Sequence, residues 1–160
     1  MEAWIGLFGV ILGAIIAGVA GLVASSVQFN REKKWERKQL VRTKLEEAYQ
    51  IVEEYRSAYI QVTGDLILTS KTGNNQVQFP NLPLSELTML IYFYAPTLKS
   101  DIRQLYQFQD DYSKVMFVIV KGVQSESGDK LLQLLKEQHN RIENHLDKLL
   151  QQIVELAKYL

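Results

Sequence analysis

Cysteine is absent from this 160-residue chain, and histidine and proline are scarce, with two and three copies. The absence of cysteine excludes disulfides, thiol nucleophiles and cysteine-based metal sites, and it is compatible with a reducing compartment. The short signatures of phosphate-binding loops, dinucleotide-binding folds, zinc proteases and serine hydrolases are missing as well. We therefore expect neither an enzyme, nor a metal site, nor a cofactor.

Charge is absent from residues 3–29, a run of 27 residues. At about 1.5 Å per helical residue, this run is long enough to cross a hydrocarbon core of roughly 30 Å. It predicts a single transmembrane helix within residues 1–29, with a cleaved signal peptide and a buried helix of a soluble protein as the alternatives. Small residues at every fourth position predict close packing against another membrane helix: Gly9, Gly13, Ala17, Gly21 and Ser25.

Residues 30–44 form a basic juxtamembrane segment with seven basic and two acidic side chains. The positive-inside rule then places the carboxyl terminus in the cytoplasm, and Trp4 and Trp35 fit interfacial aromatic anchors. Residues 45–160 carry 15 acidic and 11 basic side chains, too few basic ones for a typical nucleic-acid-binding domain. We therefore expect the lipid bilayer, and no duplex nucleic acid, as the partner of the basic segment.

The remaining residues, 45–160, predict an all-α cytoplasmic helical bundle. Apolar residues spaced by three and four positions indicate one helix over residues 41–62 and another over residues 132–160. No proline or glycine interrupts the chain between the membrane segment and the first of these helices. Further helices are expected before Pro96 and from about Lys99, and the latter is expected to stay helical through the β-branched residues 115–120.

Two further predictions concern a polar turn and the two histidines. The polar residues 71–75 predict a turn, and alternation on either side leaves a short β-hairpin near residues 66–79 as an alternative to a loop. On the last helix, His139 falls on the apolar seam, as a polar residue inside a bundle does, whereas His145 is predicted to lie at the surface.

Groups that could bind an anion occur in two places. Lys99 and Arg103 fall in the first turns of the helix after Pro96, where unpaired backbone N–H groups and the helix dipole favour phosphate. Lys71 and Asn74 offer further donors in the polar turn. The aromatic residues that could stack on bases are Tyr92, Tyr94, Tyr106 and Tyr112. Each feature also has a structural explanation, so only their combination indicates a nucleotide site.

The layout resembles small, N-terminally anchored bacterial antiviral membrane effectors, most of all the cyclic tetra-adenylate-binding membrane effector of type III CRISPR systems. The small-residue stripe and the abrupt polar boundary at residues 30–34 carry this resemblance. It implies a homotetramer in the bacterial inner membrane whose cytoplasmic domains bind cyclic tetra-adenylate and perturb the membrane. The alternative is a constitutive membrane tether or scaffold subunit for a partner complex.

Overall fold

Four α-helices make up the part of the chain that the structure, a computed structural model, describes: residues 2–72, 84–121 and 128–160. Side chains are described for residue 13 and residues 17–69, 84–121 and 129–160. The helices are α1 (Glu2–Thr72), α2 (Leu84–Tyr94), α3 (Lys99–Val120) and α4 (Gly128–Lys158), with a 3-10 turn over Pro96–Leu98. These ranges contain no strand. The predicted all-α class is therefore confirmed for the described residues.

The chain divides into two compact units, Met1–Leu40 and Val41–Leu160. In the first unit, every described side chain is exposed. Among the residues whose side chains are described, no helix contains a stretch long and apolar enough to cross a membrane. The side chains of residues 2–12 and 14–16, which belong to the predicted transmembrane segment and include Gly9, lie outside the described set.

One apolar core fills the second unit. From α1 it receives Leu45, Val52 and Tyr55, and from α4 Leu135 and Ile142, none of which is more than 2% exposed. Residues spaced by three and four positions fall on one face of a helix, so each of these helices buries a continuous stripe. The seams predicted for both helices are confirmed, except at Leu160, which lies beyond the end of α4 and is 39% exposed.

α1 extends past its predicted end. Leu66 and Thr69 continue the buried face, and the helix ends only at Thr72. The predicted turn is therefore wrong at Lys71 and Thr72, which are helical. The alternative of a first hairpin strand at residues 66–69 is wrong as well. Burial of the helix face outweighs the turn-forming composition of this segment. Residues 73–83, with the rest of that turn and hairpin, lie outside the described residues.

A short turn joins α2 to α3 where Pro96 was predicted to end a helix. The Ala95 N–H donates to the Ile91 carbonyl at 3.0 Å, and the Leu98 N–H donates to the Ala95 carbonyl at 2.9 Å. Pro96 occupies the start of the 3-10 turn, where a missing N–H costs little. α3 then begins at Lys99 and stays helical through residues 115–120, as predicted.

A polar cluster inside the second unit connects α1, α3 and α4. The Thr63 hydroxyl donates to the Tyr59 carbonyl at 2.9 Å, and its oxygen lies 2.7 Å from the Tyr112 hydroxyl and 3.0 Å from Nδ1 of His139. Because Thr63 has one hydroxyl proton, Tyr112 and His139 are the donors to its oxygen. Burial raises the pKa of Tyr112 to about 12. Tyr112 is thus a core residue, and its prediction as a base-stacking residue is wrong.

A second polar junction joins the start of α3 to α4. The Asp101 carboxylate is 2.8 Å from Nζ of Lys148, and Nε2 of His145 donates to the Asp101 carbonyl at 2.7 Å. His145 is only 6% exposed, so its predicted surface position is wrong. Off the α4 seam, the imidazole is covered by α3, and the ring of Phe108 meets it edge to face. The first turn of α3 is therefore fixed to α4.

Candidate functional site

A surface groove between α2 and α3 collects aromatic rings and a cation. Its volume is about 530 Å³. We call it the α2–α3 groove, and it is lined by Ser85, Thr88, Met89, Tyr92, Phe93, Lys99 and Tyr106.

α2 builds one wall of the groove because it has more apolar residues than one buried face can hold. Eight of its 11 residues are apolar or aromatic. The face directed at the core takes Leu87 and Ile91, which are fully buried, while Met89 and Phe93 are 59% and 76% exposed. Large apolar side chains that cluster at a surface are typical of binding sites. Phe93 is therefore available to a planar or apolar ligand group.

Two cations of α3 converge on the ring of Tyr92. Nζ of Lys99 lies 4.7 Å from the ring centroid, within the range of a cation–π contact. Arg103 interacts with the Tyr92 hydroxyl, and this interaction is the main cause of the raised pKa of Arg103. Arg103 is exposed and Lys99 is half-buried. Positive charge is thus held beside an aromatic face while remaining accessible from solvent.

The other aromatic wall of the groove is tied to α2 by a hydroxyl pair. Thr88 donates to the Leu84 carbonyl at 2.7 Å, so the Tyr106 hydroxyl is the donor to the Thr88 oxygen at 3.0 Å. Tyr106 is nevertheless 42% exposed. The bond restricts the ring without burying it, which lowers the entropy cost of stacking a ligand on it.

This arrangement is suited to binding a ligand. Aromatic faces stack on planar bases, and the nearby ammonium and guanidinium groups attract phosphate. Within the described ranges, no three histidine, aspartate or glutamate side chains lie close enough together to hold a metal ion. The groove therefore fits a ligand that combines a planar ring with negative charge.

The sequence-predicted residues are only partly brought together. Lys99 lines the α2–α3 groove. Arg103 does not line it but interacts with Tyr92, which does. The side chain of Lys71 and all of Asn74 are outside the described residues. Phe93 and Met89 were not predicted as site residues. The excess of apolar residues in α2 is the signal that could have identified them, since only some of them can face the core.

A second groove in the same unit lies between α1 and α4 and has a volume of about 380 Å³. Its lining contains no lysine or arginine and consists of Leu45, Glu46, Tyr49, Gln50, Ile153, Val154 and Ala157. An apolar groove with one carboxylate disfavours an anion. It is better suited to an apolar side chain or helix.

No protein-family model, curated protein or solved structure matches this chain. Function is therefore inferred from the contacts of its own residues.

Proposed function

We propose that this protein is a membrane-anchored effector whose α2–α3 groove binds an anionic nucleotide messenger, and that ligand binding perturbs the membrane through an oligomeric transmembrane segment. The observation that carries the proposal is the joint presence of exposed aromatic rings and the accessible cation Lys99 in one groove, with Arg103 interacting with Tyr92 of its lining. The messenger expected from the resemblance described above is a cyclic oligoadenylate, cyclic tetra-adenylate first, in bacterial antiviral defence.

The groove offers a base and a phosphate separate partners. Phe93 and Tyr106 present ring faces for stacking, which contributes about 1–3 kcal/mol per base in single-strand recognition. Lys99 and Arg103 supply charge-assisted hydrogen bonds to a phosphate. An uncharged aromatic ligand would use only the two rings, and an anion without a ring would use only the two cations. A nucleotide uses both.

The membrane part of the proposal rests on the amino-terminal helix. Its described apolar side chains, among them Leu22 and Val27, are 74% and 44% exposed. A Cβ atom built on Gly13 or Gly21 would meet no described side chain within 4 Å, so packing among the described residues does not explain why these residues are small. Packing against a second copy would explain it. We propose a homotetramer in the bacterial inner membrane with a cytoplasmic carboxyl terminus.

A constitutive tether or scaffold subunit is the second candidate. The apolar groove between α1 and α4 favours it, because Tyr49 and Val154 expose 37% and 40% of their surface there. Such a groove fits a partner helix. In this case the protein would bind no nucleotide.

Calorimetry of the full chain in lipid nanodiscs against cyclic oligoadenylates separates the two candidates. We expect parent binding of cyclic tetra-adenylate, and at least tenfold weaker binding, about 1.4 kcal/mol, for Lys99→Ala/Arg103→Ala. The matched control is Lys136→Ala/Arg141→Ala, which removes one lysine and one arginine from the exposed surface of α4 and should bind like the parent.

A second pair of variants tests the stacking contribution. Phe93→Ala should weaken binding at least fivefold because a ring face is lost. Phe117→Ala is the control, since Phe117 is also exposed and has a lysine, Lys121, 4.3 Å from its ring centroid, but does not line the groove. Absence of cyclic oligoadenylate binding by the parent would favour the tether. Equal binding by parent and groove variants would place the ligand elsewhere.

A further inference from the structure

The basic segment after the apolar run has exposed cations without carboxylate partners. Among the described side chains, Arg31, Lys33, Lys34, Arg37 and Lys38 are all exposed and form no ion pair. Arg42 and Lys44 differ, because each contacts a glutamate one turn away, at 3.2 and 2.6 Å. The cations after residue 41 are therefore paired with glutamates, whereas the cations at residues 31–38 are not.

The unpaired cations cover one continuous side of the helix. At about 100° per residue, Arg31, Lys34 and Lys38 fall within about 60° of one another, and Lys33 and Arg37 extend the same arc to about 160°. The acidic residues do not interrupt this arc. Glu32 and Glu36 lie on the opposite side, where Glu32 accepts a hydrogen bond from Gln28 at 3.0 Å.

Exposed aromatic rings accompany the cations. Phe29 and Trp35 are 54% and 63% exposed, and Nζ of Lys33 lies 4.4 Å from the centroid of the Phe29 ring. At a bilayer surface, aromatic rings of this kind sit at the headgroup level while lysine and arginine reach the phosphates. A basic arc with an aromatic ring about 40° beyond each edge, directly after the apolar run, matches the headgroup layer of a bilayer.

We propose that Phe29, Trp35 and the five unpaired cations form a collar that binds anionic phospholipid headgroups in preference to zwitterionic ones. The partner is identified by charge complementarity, since phosphatidylglycerol has a net negative charge and phosphatidylcholine has none. The inference rests on the membrane anchoring proposed above and adds lipid selectivity to it. Selectivity of this origin is electrostatic and decreases with salt.

Depth quenching of Trp35 tests the collar. The full chain with Trp4→Phe, so that Trp35 is the only tryptophan, is reconstituted in vesicles of equal parts phosphatidylcholine and phosphatidylglycerol, with either lipid brominated. We expect at least twofold stronger quenching by brominated phosphatidylglycerol, with the excess lost in 1 M salt, where the Debye length is about 3 Å. Arg31→Gln/Lys34→Gln should lose at least half of the excess. Arg42→Gln/Lys44→Gln, the paired cations, should keep it.

The outcomes are distinct. Equal quenching by the two brominated lipids would overturn the collar and leave the anchoring intact. No quenching by either lipid would overturn the anchoring itself. Binding of fluorescent duplex RNA to the chain in phosphatidylcholine vesicles, abolished by Arg31→Gln/Lys34→Gln, would overturn the collar in favour of a nucleic-acid partner.

Discussion

Replacing either member of the buried Thr63–Tyr112 hydroxyl pair should destabilise the protein, and by unequal amounts. Tyr112→Phe removes one donor, but the Thr63 oxygen keeps its contact with His139 and its hydroxyl keeps the Tyr59 carbonyl. No buried group is then orphaned, so the expected cost is the net value of one hydrogen bond, about 1 kcal/mol.

Thr63→Val has the larger expected effect. It leaves the Tyr112 hydroxyl, on a residue only 2% exposed, without its partner at 2.7 Å, and it takes the acceptor from Nδ1 of His139. An unsatisfied buried polar group costs about 1–3 kcal/mol, so we expect about 2 kcal/mol. Valine and threonine have similar helix propensities, so the backbone contributes little to the difference. The double variant should cost less than the sum of the single variants, by about 1 kcal/mol.

The chain contains a matched control for this prediction. Thr88 and Tyr106 form the same pair, with the threonine hydroxyl again donating to the carbonyl four residues earlier, but Thr88 is only half-buried and Tyr106 is 42% exposed. Thr88→Val should therefore cost less than about 0.5 kcal/mol. Urea unfolding of the full chain in detergent, followed by far-ultraviolet circular dichroism, measures all variants. Equal costs for Thr63→Val and Thr88→Val would refute the reasoning from burial.

Two further predictions concern assembly and alkaline stability. Gly13→Leu/Gly21→Leu should abolish cross-linked oligomers in the membrane while leaving the helix intact. A Cβ atom at either site meets no described side chain within 4 Å, and leucine is the better helix former by about 0.8 kcal/mol per site. Unchanged cross-linking would mean that the small-residue stripe is ordinary membrane-helix composition. Because burial raises the pKa of Tyr112 from 10.0 to about 12, the folded state keeps the proton longer than the unfolded state, so its contribution to stability is full below pH 10 and is lost as pH rises to 12. That loss is on the order of 3 kcal/mol. Burial also raises the pKa of Tyr55 and Tyr59, which adds to the alkaline loss, and urea midpoints that do not fall between pH 9 and pH 11.5 would contradict the prediction.

Helix periodicity predicted most of the core, because the three- and four-residue spacing of α1 and α4 depends only on their own sequences. Contacts that need a third helix could not be predicted in this way. His145 lies off the α4 seam and bonds to the Asp101 carbonyl of α3, and Asp101 is buried where Lys148 pairs with it from α4. Both follow from the register between helices, which single-helix patterns do not contain.

The candidate site could be predicted only in part from the sequence. Lys99 and Arg103 could be identified because Pro96 fixes where α3 begins, and helix starts favour anions. Their common partner Tyr92 and the exposed ring of Phe93 depend on which face of α2 turns inward. An 11-residue helix with apolar residues on most sides gives no single periodic face, so its orientation is set by packing.

Photo-crosslinking with an 8-azido cyclic tetra-adenylate tests the central claim, that the α2–α3 groove is a nucleotide site, most directly. The full chain in nanodiscs is irradiated with the probe, and the modified peptides are identified by mass spectrometry. We expect modification of Tyr92, Phe93 or Tyr106 that excess unmodified cyclic tetra-adenylate abolishes, and that Lys99→Ala/Arg103→Ala reduces at least tenfold. Modification confined to α4, or modification that the unmodified nucleotide does not compete away, would contradict the account.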